Sequence, residues 1–207
     1  MSTGHQVRHY LGKAVSVPVS QTDAPIAGFA INDAMRLNIK IDVILGVVTG
    51  AGTLQLEDST GFAFWNLIKT ATPAASTQKT ISAVGVTTGI LTSAGHGYTQ
   101  GQLITLNSTG TVPGGLLPGQ RLFVTNPTTN TFQVSLHPAN EAPQTSFTDA
   151  GSGTITATLA TVATLAANVN VAGDQAVMPL RPLGRITATT GGSDTIQVID
   201  VRVCYLY

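Results

Sequence analysis

Arg36–Val48 alternates along its length. Leu37, Ile39, Ile41, Val43, Leu45 and Val47 fall on one side, and Arg36, Asn38, Lys40, Asp42, Ile44 and Gly46 on the other. A period of two belongs to a β-strand with one face against a core. Thr195–Tyr207 repeats it, with Ile199, Val201, Val203, Tyr205 and Tyr207 on one face. Shorter strands are expected at Lys13–Ser20, Thr53–Glu57, Phe62–Ile68, Ala166–Val171 and Gly184–Thr190. The first should be an edge strand, since Pro18 cannot donate to a central ladder. Gly50-Ala51-Gly52, Asp58-Ser59-Thr60-Gly61, Gly173-Asp174 and Gly191-Gly192-Ser193-Asp194 supply turn chemistry between strands. Gln21–Asp33 reads as a loop, Met178–Pro182 as extended chain, and Met1–Tyr10 as a polar arm with no core to join. Strands punctuated in this way predict an all-β fold, an antiparallel β-sandwich of jelly-roll-like form.

The middle of the chain has a different texture. From Thr80 to Thr158 it is richer in Thr, Gly and Pro, and its strand candidates are short: Ile81–Val86, Gly89–Thr92, Gln102–Asn107, Gln120–Thr125, Thr131–Leu136 and Thr154–Leu159. Pro127-Thr128-Thr129-Asn130 fits a hairpin turn. Thr70–Lys79 and Thr158–Thr164, rich in Ala, Thr and Ser, read as connectors. The expectation is a discontinuous outer sandwich, residues 1–79 with 158–207, interrupted by a small β-barrel or sandwich module over 80–157. Exposed loop tips tolerate such insertions.

Composition narrows the function. Of 207 residues only 10% are charged, with ten Lys+Arg against ten Asp+Glu, where an ordinary domain carries roughly 25%. Few charges leave little to solvate helix surfaces, which agrees with the strand pattern. Zero net charge excludes a binder that works by neutralising many phosphates and a polybasic membrane surface. So few charges also suggest a surface largely covered by partners. Cys204 is the single cysteine, so neither an intrachain disulfide nor a Cys-based zinc site is available. Met1–Lys13 has no apolar signal core, and no run approaches the ~18 apolar residues of a membrane span.

Candidate chemistry is thin. His96 lies between Gly95 and Gly97 with no nucleophile or carboxylate placed beside it, and reads as a residue of a tight turn. His5, His9 and His137 share no ligand spacing, and Glu57-Asp58, an adjacent acidic pair, falls at a turn. Gly110-Thr111-Val112-Pro113-Gly114-Gly115 lacks the Lys-Ser/Thr end of a phosphate loop. Phe62, Phe64 and Trp65 read as core, with a subunit interface or a sugar platform as alternatives. No enzyme activity, cofactor or metal is expected.

Four separated pieces carry a resemblance. Ser93-Ala94-Gly95-His96-Gly97 is followed by Gly101-Gln102-Leu103-Ile104-Thr105-Leu106, then by Leu116-Leu117-Pro118-Gly119-Gln120-Arg121-Leu122-Phe123-Val124, then by Asn130-Thr131-Phe132-Gln133-Val134-Ser135. In that order and spacing they resemble a small β module that recurs in structural proteins of tailed bacteriophages. Thr53–Trp65 and Pro179–Tyr207 are similar to hairpins of short β-sandwich virion proteins. The resemblance implies a capsid decoration (cement) protein. Such a protein would sit on the outer surface of the phage head after synthesis in the host cytoplasm, bind the major capsid protein and form a homotrimer. The alternative it leaves is a tail fibre or adaptor module touching host glycan. Under the decoration reading Arg8, His9 and Tyr10 are the capsid-contact candidates. Leu37, Ile39, Ile41, Trp65, Val201, Val203, Tyr205 and Tyr207 are candidates for the core or a subunit interface.

Overall fold

The computed structural model describes residues 6–9, 15–18, 20–22, 24–30, 38–59, 61, 66–138, 143–144, 146–168, 183–192 and 194–205. It is all-β and antiparallel. The chain divides into two compact units, residues 1–75 with 161–207, and residues 76–160.

The first unit opens with β1 (Gln6–His9), β2 (Val15–Val17), β3 (Ala24–Ala30), β4 (Asn38–Thr49), β5 (Thr53–Ser59) and β6 (Asn66–Ala71). The second unit contributes β7 (Gln78–Thr80), β8 (Ala83–Gly85), β9 (Ile90–Thr92), β10 (Leu103–Ser108), β11 (Leu122–Thr125), β12 (Thr131–Ser135) and β13 (Ile155–Leu159). The first unit then resumes with β14 (Thr161–Asn168), β15 (Leu183–Thr189) and β16 (Thr195–Tyr205).

Two sheets make the first unit. One has the order β1-β16-β4-β14, with β2 also on β16; the other has the order β3-β15-β5-β6. The pairings nest: β1 and β2 with β16, β3 with β15, β4 with β14, and β5 with β6. A nested set of antiparallel pairs is one long hairpin. Rolling it so that β16 also meets β4 and β15 also meets β5 gives the two-sheet jelly roll. Ile41, Val43, Leu45 and Val201 from one sheet and Leu54, Leu56, Ile186 and Ala188 from the other share a core, each at most 1% exposed.

The alternation of the two longest strands is broken where the sequence pattern continues it. Ile196 faces Val48 and Val198 faces Leu45, so β4 has one extra residue; Asp200 then faces Ile44, so β16 has one. Each bulge moves the core face to the other parity. On β4 the core takes Ile41, Val43 and Leu45 and then Val48; on β16 it takes Ile196 and Val198 and then Val201 and Val203. Val47 and Ile199, expected on the core face, are therefore not part of this core. The β4–β5 turn docks on the β15–β16 turn. Gly50 has φ +71°, a Cβ there would lie 1.5 Å from Asp194 Oδ1, and the Ala51 N–H donates to Asp194 Oδ2 at 3.1 Å.

Several stretches differ from expectation: Asp58 and Ser59, read as the start of a turn, close β5, and Thr70–Lys79, read as a connector, holds the end of β6 and the start of β7. Gln6–His9 is not a detached arm but an edge strand, with Arg8 opposite Val203 and His9 opposite Arg202. Gln21–Asp33 contains β3, an edge strand in which Pro25 is tolerated because one side of an edge needs no donor. Thr158–Thr164 is not a connector, because β14 begins at Thr161 and pairs with β4 over its length. Met178–Pro182 and Phe62–Trp65 lie outside the described residues.

The second unit opens at Ser76 and closes at Ala160, against the expected 80 and 157, because Gln78–Thr80 pairs with β13. Its sheet has the order β7-β13-β10-β11-β12-β9-β8. It is not a closed barrel, since β7 and β8 do not pair with each other. The link between them spans the two sides, with the Ile81 N–H donating to Ile155 O and the Ser82 N–H to Thr92 O. Leu91, Ile104, Leu106, Leu122, Phe132 and Val134 fill its own core.

Candidate functional site

In a chain so poor in charge, the positions of the charges are informative. On the first sheet of the sandwich, Thr164, Asp42, Arg202 and His9 face one another in a row across β14, β4, β16 and β1. Thr164 Oγ1 donates to Asp42 Oδ1 at 2.7 Å, and Lys40 Nζ meets Asp42 Oδ2 at 3.1 Å. Asp200, two residues along β16, is fully buried and accepts the Val201 N–H at 2.9 Å. Arg202 Nε stands 3.6 Å from Asp200 Oδ2. Charge alternates along each of the two central strands, Lys40 with Asp42 on β4 and Asp200 with Arg202 on β16, and each pair lies within its own strand.

On the other sheet the ion pair crosses between strands. Arg185 and Glu57 are direct partners across β15 and β5, and Arg185 Nε donates to Glu57 Oε2 at 2.7 Å. Thr187 Oγ1 lies 3.3 Å from the same oxygen. Glu57 is buried and Arg185 partly exposed, so this ion pair is half-shielded from water and ties β15 to β5 within their ladder.

The His96 turn is the most constrained polar feature of the inserted unit. Gly95 and Gly97 have φ of +55° and +72°, which admits glycine and swings the imidazole inward. The Tyr98 N–H donates to His96 Nδ1 at 2.9 Å, which leaves the ring proton on Nε2, 3.3 Å from Thr131 O. Asn130 ties the turn down: its carbonyl accepts the Ser93 N–H and its Oδ1 accepts the Gly95 N–H. The rings of His96, Tyr98 and Phe132 pack within 5.0–5.3 Å of one another. The Tyr98 hydroxyl donates to Ala157 O at 3.0 Å, and burial pushes this phenol up to about 12. Both imidazole nitrogens thus face backbone groups, so the turn is built as a structural lock.

The residues singled out in the sequence separate into three groups. Ile41, Val201 and Val203 are fully buried in the sandwich core. Ile39 and Tyr205 face each other in the β4–β16 ladder, while Arg8 and His9 lie in β1 on the far side of β16. Tyr10, Leu37, Trp65 and Tyr207 lie outside the described residues. The Arg185–Glu57 pair was missed because its members are far apart in sequence and adjacent only through the β15–β5 ladder, whereas Lys40 with Asp42 and Asp200 with Arg202 are neighbours on one strand. Among the described residues no three or more His, Cys, Asp or Glu side chains converge as a metal site would. The chain matches no family model, no curated protein and no solved structure.

Proposed function

We propose that this is a non-enzymatic structural protein of a tailed-phage virion, a decoration protein that binds the assembled head and stabilises it across neighbouring subunits. The observation that carries the reading is the architecture. A jelly roll, an arrangement found among viral capsid domains, is interrupted between β6 and β14 by a unit bearing the phage-type Gly-His-Gly pieces. The step from this fold to that role is an analogy of architecture.

Decoration requires no chemistry. A protein that binds the assembled shell and not its separate subunits raises the shell's stability by mass action. Contacts with several subunits add avidity. On this reading the major capsid protein is the partner, and three copies gather about a threefold position on the outer head surface. Arg8 and His9, carried by the edge strand β1, and Tyr10, next to them in the chain, are the proposed contact residues.

The test is particle stability. Heads lacking the protein should release their genome at a lower temperature, and adding it back should restore the release temperature. Mass spectrometry of whole virions should count hundreds of copies. An unchanged release temperature, or the few copies typical of a tail component, rejects the decoration role.

A further inference from the structure

Every sheet of an open sandwich ends in strands whose outer N–H and C=O groups can recruit another strand, and proteins normally blunt them with charge, proline or shortness. Three of the four edges here are blunted. The edge over β16 is formed by β1, which carries Arg8 and His9, and by the three-residue β2, which runs into Pro18. The second sheet ends in β3, which holds Pro25, and in β6, which holds Lys69.

The fourth edge, β14, has none of these devices. Thr161–Asn168 reads TVATLAAN, eight residues without a charge or a proline. Among the described residues β4 is its one ladder partner. Ala71–Ala75 runs beside it and leaves a groove of about 350 Å³, lined also by Leu45 and Thr161–Thr164, instead of pairing with it. Val162, on this strand, is 61% exposed, the most exposed of the large apolar side chains described.

We propose that β14 is a strand-addition edge and that its occupant is β14 of a second copy, paired antiparallel about a two-fold axis normal to the sheet. Self-pairing follows from the sequence of the strand. A two-fold axis normal to the sheet keeps each residue on its own face, so only a register that pairs like faces is allowed. With Thr164 on the axis, Thr164 meets Thr164 of the mate, two uncharged side chains whose hydroxyls each stay bound to their own Asp42. Ala163 then meets Leu165 of the mate, and core face continues as core face. An uncharged strand incurs no repulsion in meeting itself, whereas β1 or β6 would bring like charges together. The two copies then share one continuous ten-stranded sheet, five strands from each. On a capsid this contact would join copies that belong to neighbouring threefold clusters, but the pairing stands or falls in solution, independently of the virion role.

Sedimentation equilibrium of the full chain from about 5 to about 100 µM, the range for a contact of edge size, should fit a monomer–dimer equilibrium. The double variant V162K/T164K, altered at two exposed positions, should weaken it by roughly tenfold or more, while the chain still melts cooperatively and loses only what the Thr164–Asp42 hydrogen bond contributes. Thr164→Cys should cross-link to a covalent dimer under mild oxidation. Opposed antiparallel residues lie about 4.5–5.5 Å apart at Cα, within disulfide reach. The parent protein, with Cys204 as its single thiol, is the control. A monomer at all concentrations overturns the proposal. So does association, dimeric or trimeric, that survives the lysine variant, or a Thr164→Cys protein that associates without cross-linking.

Discussion

Replacing Tyr98 by Phe should produce two stability curves that cross as pH rises. Near neutral pH the variant loses the hydroxyl that donates to Ala157 O at 3.0 Å, and with it about 1 kcal/mol. The aromatic packing on His96 and Phe132 is retained. The sign reverses in alkali. A phenol pushed from 10 up to about 12 by burial favours its neutral form in the folded state. Its contribution is complete below pH 10 and is lost as pH rises towards 12, because the unfolded chain ionises first. The loss reaches about 1.4 kcal/mol at pH 11 and up to about 2 kcal/mol at pH 12. The wild type should therefore be the more stable protein at pH 8 and the less stable one at pH 12, with the crossing between about pH 10.5 and 11. Urea unfolding followed at amide resonances of residues 76–160 reads the inserted unit directly. Phenolate absorbance provides a second measure, since one of the four tyrosines should titrate late and be missing in the variant. Parallel curves across that range, or no late-titrating tyrosine, would refute the buried hydrogen-bonded phenol.

Ala75 and Thr161 line the same groove, so excising residues 76–160 and closing with two or three glycines should leave a cooperatively melting sandwich; a collapsed amide spectrum would contradict this. Gly50→Ala should lower sandwich stability by roughly 1–3 kcal/mol in calorimetry, from a positive φ and the clash with Asp194. Asp194→Ala, which removes only the acceptor for the Ala51 N–H, should cost about 1 kcal/mol. Glu57→Ala should cost roughly 1.5–3 kcal/mol, with Glu57→Gln milder because it keeps an acceptor for Arg185 and Thr187; equal losses would show that shape and not the ionic hydrogen bond matters there.

Local chemistry made part of the fold legible in the sequence. The β11–β12 hairpin is an example: Thr128 Oγ1 accepts from the Thr131 N–H at 3.0 Å, and Val124 faces Val134, as the Pro-Thr-Thr-Asn turn implied. β3 was hidden because Pro25 and Gly28 are turn residues that an edge also tolerates. β14 was hidden because Ala and Thr bury little surface and leave no hydrophobic stripe. The bulges were invisible for another reason. Val43 to Val48 is apolar in both phases, so the sequence cannot show where the parity changes; the partner strand decides it. The Arg185–Glu57 pair depends on a register that only the folded sheet supplies.

The route by which the inserted unit joins the sandwich has a mechanical consequence. Among the described residues, both tethers emerge from strands held by a single ladder, β6 on β5 and β14 on β4. Tension applied to the inserted unit is borne first by these outermost members, while the interior pair β4 and β16 carries load only after them. The sandwich should therefore yield by shedding its borders, leaving the interior strands in place to recapture them when the pull ends. A mate laid along β14 would move that border inward and leave β6 as the weak member, so self-association would act as a brace against force as well as a means of assembly.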